Sequence, residues 1–255
     1  LKKLGITSLA LALTLGLAAC GNSEKSSSES SETSSPDTKP VSQQEVSVKV
    51  TDKVFYTWEN EAIGDIPQIV AYAALKNTGK TSVDVRNTKL TYLDKDGGIL
   101  QSTSASQTLI TSIAPSMIAP GETAYLAISE DVGETFKDVE DIEVEVSPEP
   151  IDFGLNTLKA ENVKVVKTDD WGGDIHVTGY LKNSIDQEAP TVEAAAGLYD
   201  KNNKFIGAIF PGTDHQISLQ AKDKTSFQLG VPSFPSDRVE DVDHAEIQAM
   251  AVKFE

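Results

Sequence analysis

The chain has 255 residues, with 22 Lys and Arg against 39 Asp and Glu, a formal net charge of −17, one cysteine and three histidines. So acidic a body repels nucleic acid and anionic head groups, and no nucleic-acid partner is expected. One thiol permits no internal disulfide and no Cys-based zinc site, so a hydrophobic core of its own must hold the fold.

Read from the start, Lys2 and Lys3 precede an apolar stretch, Leu4 to Ala19, that closes on Leu17-Ala18-Ala19-Cys20. A basic start, a short greasy middle and small residues at the cut predict a secretory signal peptide over 1–19. The stretch is shorter than the roughly 20 residues a membrane span needs. With the cysteine directly after the small residues, the run resembles a bacterial lipobox. That resemblance implies cleavage before Cys20, diacylglyceryl attachment to its sulfur and a lipid-anchored place on the outer face of the cell membrane. A diacylglyceryl group supplies the two chains that firm anchoring requires. From Gly21 to Gln44 the only large apolar residue is Val41 in a run rich in Ser and Glu. Such a segment buries too little surface to offset ordering, so 20–44 reads as a disordered tether. It is similar to the tethers of Gram-positive lipoproteins.

The rest repeats once. Ala74-Leu75-Lys76-Asn77 matches Tyr180-Leu181-Lys182-Asn183, and the same shift of 106 carries Tyr92-Leu93-Asp94-Lys95 onto Leu198-Tyr199-Asp200-Lys201. A third match, Thr123-Ala124-Tyr125 with Thr225-Ser226-Phe227, has a shift of 102. A period this long predicts two tandem domains, 45–150 and 151–255.

Strands are predicted near 46–58, 67–77, 83–94, 98–106, 107–114, 122–130 and 139–147. The second set falls near 158–168, 174–183, 190–200, 204–210, 214–220, 224–231 and 242–254. Val192, Ala194, Ala196 and Leu198 alternate with Glu193, Ala195, Gly197 and Tyr199, the period of a half-buried strand. The equivalent face of the first repeat is Arg86, Thr88, Leu90 and Tyr92. Asn77-Thr78-Gly79-Lys80, Lys95-Asp96-Gly97-Gly98, Pro120-Gly121-Glu122 and Asp200-Lys201-Asn202-Asn203 supply turn chemistry between runs. The best helix candidate, Glu130 to Asp141, is short and broken by Gly133. About seven strands per hundred residues predict an all-β chain of two immunoglobulin-like β-sandwich domains.

Ala196-Gly197-Leu198-Tyr199-Asp200 resembles the motif that names the FxLYD domain of bacterial lipoproteins. Gly179-Tyr180-Leu181-Lys182-Asn183 matches that family's upstream strand end, and Gly207 its glycine after the hairpin. The chain departs at the Phe position, which is Ala196, and the first repeat departs further with Leu90-Thr91-Tyr92-Leu93-Asp94. The resemblance implies a β-sandwich on an envelope lipoprotein and brings no catalytic residues with it.

Asp94 and Asp96 before Gly97-Gly98 superficially suggest a calcium loop. Gly98 and Ala105 stand at the fifth and twelfth positions of such a loop, where oxygen ligands are needed, so a hairpin turn is the better reading. Asp169-Asp170-Trp171 lies on a loop between the first two strands of the second repeat. An indole beside carboxylates is a platform for a sugar ring or a cationic group, the alternative being that Trp171 plugs the end of the sandwich. Tyr56 and Trp58 end the matching strand of the first repeat, where core packing is expected. His176, His215 and His244 have no zinc-ligand spacing, and Asp214-His215 lacks a nucleophile motif. His176 alternates with Ile175 and Val177 and is expected to face solvent. The acidic runs Asp138–Asp141 and Glu240–Asp243 precede the last strand of each repeat and could bind cations weakly.

No catalytic residue, metal site or cofactor is expected. The chain reads as a surface binding or spacer module that contacts an envelope protein or glycan through its loops and strand edges. The alternative is an accessory or ligand-holding subunit of an envelope enzyme or transporter.

Overall fold

The computed structural model describes residues 45–60, 66–104, 111–130, 137–168, 174–212, 217–232 and 234–252. In chain order the first half forms β1 (Val48–Asn60), β2 (Ile66–Asn77), β3 (Val83–Asp84), β4 (Thr88–Leu93), β5 (Ile99–Ser104), β6 (Thr111–Ala114), β7 (Met117–Ile118), β8 (Thr123–Glu130), β9 (Asp141–Val146) and β10 (Glu149–Pro150). The second half forms β11 (Leu155–Thr157), β12 (Lys159–Thr168), β13 (Asp174–Lys182), β14 (Ala189–Tyr199), β15 (Phe205–Ile209), β16 (Ile217–Leu219), β17 (Lys224–Leu229) and β18 (His244–Val252), with a 3-10 helix over Ser236–Asp241 before β18. The fold is all-β, as the alternation and turn residues predict.

Among the described residues four antiparallel sheets carry the architecture: β5-β4-β9 and β1-β2-β8-β6 in the first half, β11-β18-β14-β15 and β12-β13-β17 in the second, with β16 also on β14. A small sheet, β10-β3-β7, closes one side of the first half. Among the described residues no strand of one half pairs with a strand of the other.

The expected strand over 83–94 is broken at residues 85–87. There the chain leaves one sheet for another, β3 pairing with β7 and β10 while β4 pairs with β5 and β9. Val85 donates its amide to the Ser116 carbonyl (2.8 Å) and Thr88 its hydroxyl to the Val85 carbonyl (2.6 Å) at the crossing. Arg86 therefore sits outside the strand face, its guanidinium held by the Asp84 carboxylate (2.9 Å). The helix candidate is not realised at its described ends: Glu130 closes β8, and Lys137 and Asp138 form only a short 3-10 turn.

The repeat recurs bond for bond at several positions. Asp94 accepts the amides of Asp96 (2.9 Å) and Gly98 (2.7 Å), as Asp200 accepts those of Asn202 (2.8 Å) and Lys204 (2.9 Å). Gly97 (φ 77°) and Asn203 (φ 60°) take the left-handed backbone these turns need. Asn77 is fully buried, donating to the carbonyls of Thr81 (2.8 Å) and Ile118 (3.0 Å). Asn183, equally buried, donates to those of Gln187 (2.7 Å) and Gln220 (3.0 Å).

The third sequence match is out of register by one residue. Lys76 pairs with Thr123 where Lys182 pairs with Lys224, a shift of 101 rather than 102. One residue reverses the face of a strand. Tyr125 thus corresponds to Ser226, not to Phe227.

That register exposes the main departure from the sequence reading. In the first half, one apolar cluster fills the space between β2-β8 and β4-β9, with Ile69, Ala71, Ala73, Leu75, Leu90, Tyr92, Leu126 and Ile142 at its centre. The opposite face of β2-β8, carrying Val70, Tyr72, Ala74, Tyr125 and Ala127, belongs to a second cluster shared with the second half. β14 supplies the facing surface. Its residues Ala195, Gly197 and Tyr199, expected on a half-exposed strand, turn toward the first half, and Ala194 to Leu198 are all buried. The order of layers is β5-β4-β9, β1-β2-β8-β6, β11-β18-β14-β15 and β12-β13-β17, and Ser42–Glu255 is one compact unit.

Bulges fit the strands to this stack. At Thr51 the pairing of β1 with β2 shifts, so Val48 and Val50 pack on the first cluster while Val54, Tyr56 and Trp58 pack on the shared one. Tyr56 and Trp58, expected in the core, pack against the shared cluster while only partly buried.

Candidate functional site

The junction is aromatic and closely fitted. The Tyr125 ring stacks on Phe205 with centroids 5.9 Å apart, and its hydroxyl lies 3.2 Å from that of Tyr199. A Cβ on Gly197 would sit 2.4 Å from the Tyr125 ring, and one on Gly207 2.5 Å from Phe234, so both positions are held to glycine by close approach. Tyr72 and Tyr56 pack on Phe234 with centroids 6.0 and 6.1 Å away. The Tyr56 hydroxyl donates to the Ile206 carbonyl (2.9 Å), and burial pushes its pKa up to about 12. At one edge the Ser116 hydroxyl donates to Glu193 (2.9 Å).

A cleft of about 600 Å³ opens beside this junction, lined by Tyr56, Lys167, Asp200, Lys204 and Arg238 among others. Four of its charges are paired with one another: Lys167 with Glu240 (3.4 Å) and Arg238 with Asp241 (3.4 Å), while the Arg238 guanidinium lies over the Tyr56 ring at 5.5 Å. The acidic runs are engaged in the same way. Asp141 accepts from Lys53 (3.0 Å), which holds its carboxyl below the usual range, and Asp243 contacts His244 (3.1 Å). Among the described residues no group of three or more His, Cys, Asp or Glu is placed to hold a metal ion.

A larger opening lies elsewhere, on the outer face of β12-β13-β17. It is about 940 Å³, with Asn162, Lys164, Thr178, Tyr180, Ser226 and Gln228 among its lining. The inner face of this sheet buries Ile175, Val177, Leu181, Phe227 and Leu229, so period two forces Thr178, Tyr180, Ser226 and Gln228 outward. Tyr180 is 41% exposed, and the Lys224 ammonium lies 4.4 Å from its ring centroid. In the first half the same positions are Tyr72, Ala74, Tyr125 and Ala127, apolar and covered. His176 lies on this outer face, half-buried rather than free in solvent, with Nδ1 3.4 Å from the Gln228 amide. Sequence reasoning did not single out this face, because its members become neighbours only through strand register.

Cys20, Asp169, Asp170, Trp171, Asp214 and His215 lie outside the described residues. Among the described residues no helix is long and apolar enough to cross a membrane. Comparison of the chain with models of known protein families finds no match, and comparison with curated proteins finds none.

Proposed function

We propose that this chain is a non-catalytic, lipid-anchored envelope protein whose two tandem immunoglobulin-like domains, 45–150 and 151–255, serve as a surface binding or spacer module. In this reading the second domain is FxLYD-like, residues 1–19 are a signal peptide, Cys20 carries the lipid and 20–44 is the tether. The observation that carries a binding role is the asymmetry between equivalent faces. The outer face of β2-β8 is apolar and covered by the second half, whereas that of β13-β17 is polar, open and cleft. A sheet on a closely packed stack holds its side chains in fixed positions, as recognition requires. The experiment is crosslinking on intact cells followed by mass spectrometry. It should recover the mature chain beginning at a diacylated Cys20 and attached to an envelope partner through β12, β13 or β17. An unmodified chain retaining residues 1–19, with no crosslink on that face, would refute the reading.

A ligand-holding accessory subunit is the second reading, favoured by the charged cleft beside Tyr56 and Arg238. The mutual pairing of Lys167 with Glu240 and Arg238 with Asp241 makes it the weaker candidate.

A further inference from the structure

The outer face of β12-β13-β17 carries a feature that packing does not explain. Lys159 pairs across to Lys182, and Lys182 to Lys224, so three lysines stand in one row over three adjacent strands. All three are exposed, and strands are spaced about 4.8 Å apart. Like charges directly opposite one another destabilise a sheet. Lys164 lies on the same face further along, opposite Thr178 and beyond the Glu161–Tyr180 pair, and is also exposed. Among the described residues the row has one carboxylate partner, Glu161, 3.6 Å from Lys224. Asp223, next in sequence, is turned back to cap the Lys224 amide (2.7 Å). Among the described residues neither Lys159 nor Lys182 has an ion-pair partner. A chain of net charge −17 with 22 basic residues has thus gathered four of them on the face that bears the 940 Å³ cleft. The matching row of the first half, Lys49, Lys76 and Thr123, has one lysine fewer.

We propose that this face binds an acidic glycan, a polymer whose sugar units carry carboxylates. The lysine row supplies the charge complement, and Thr178, Ser226, Gln228 and Asn162 supply the hydroxyl and amide groups that polyols hydrogen-bond. Tyr180 offers an exposed aromatic edge beside them. An anionic membrane is a poor fit, since the face presents polar groups where a bilayer would require apolar insertion. An acidic peptide adding to a sheet edge would use strand backbone rather than this face. The local positive field overcomes the repulsion of the acidic body at short range, within a screening length of about 8–10 Å.

This inference rests on the binding-module reading and narrows it. The test is titration of the full chain with polygalacturonate, with its methyl ester as the neutral counterpart, at two salt concentrations. Binding of the acid form, weakened at least tenfold by K159A/K182A and by raised salt but unchanged by K89A on the β4 face, is the expected result. Because relieving like-charge opposition removes a destabilising contact, K159A/K182A should melt no lower than the parent protein. Equal binding of acid and ester, or acid binding undiminished in K159A/K182A, overturns the lysine-row proposal while leaving a binding module in place. Preferential binding of anionic phospholipid vesicles also overturns it. Failure to bind either polymer overturns it as well, and the crosslinking experiment then decides the binding-module reading separately.

Discussion

Replacing Gly197 with alanine is a sharp probe of the junction. The added Cβ would lie 2.4 and 2.5 Å from two Tyr125 ring carbons and 2.6 Å from its hydroxyl oxygen, about 1 Å inside ordinary contact distance. The ring has little room to retreat: Tyr125 is 1% exposed, stacks on Phe205 and meets the Tyr199 hydroxyl. Overpacking of this kind costs about 1–3 kcal/mol. For a body of this size that corresponds to a fall in Tm of very roughly 3–10 °C. Urea unfolding followed by circular dichroism measures it. Tyr125→Ala on its own should cost about 3–5 kcal/mol through the cavity it leaves. The two changes should not add, because removing the ring removes the clash, and a coupling of at least about 1 kcal/mol is expected. A cost below about 0.5 kcal/mol for Gly197→Ala, or additivity in the double variant, would refute the close fit of the two halves.

Four other outcomes follow from the same structure. Tyr72 is fully buried with its hydroxyl unpartnered, so Tyr72→Phe should raise stability by on the order of 1 kcal/mol in urea titration. Asn77→Ala takes the side-chain donor from the buried Ile118 carbonyl and the part-buried Thr81 one, and Asn183→Ala from two part-buried carbonyls, so each should cost about 1–3 kcal/mol by the same assay. Burial raises the pKa of Tyr72, Tyr92 and Tyr125 above the unfolded value of 10.0, so their contribution is intact below pH 10 and lost as pH rises beyond it. The three together should subtract about 4 kcal/mol per pH unit, read as cooperative unfolding with a jump in tyrosinate absorbance. Lys53 holds the Asp141 carboxyl below 3.8, so this pair stabilises above that pH and fades as pH falls through the lowered value. Both partners are partly exposed, so Asp141→Asn should cost no more than about 1 kcal/mol at neutral pH and nothing in strong acid.

Strand positions, hairpin turns and the 106-residue shift were legible because each is a local signal. Asp94 and Asp200 announce the turns they cap, and the Leu-Lys-Asn ends of β2 and β13 recur around a buried asparagine. The shared core was written more faintly. Residues 69–75, 124–128 and 194–198 are buried without alternation, as strands covered on both faces are. Reading Ala195 and Gly197 as a half-exposed face missed this, because small residues look neutral until an aromatic ring is found against them. The one-residue slip at β17 had the same root. Thr225 and Phe227 match Thr123 and Tyr125 in type, yet loop shortening of five residues rather than four puts the two rings on opposite faces. The lysine row is invisible in sequence because its members lie on three strands and meet only through pairing.

Differential scanning calorimetry of residues 45–255 tests the shared core most directly. Since the apolar cluster of the second half includes Tyr72 and Tyr125 of the first, neither half can melt without exposing the other's buried surface. One transition with equal calorimetric and van't Hoff enthalpies is predicted. Two separated transitions, each moved only by substitutions in its own half, would contradict it.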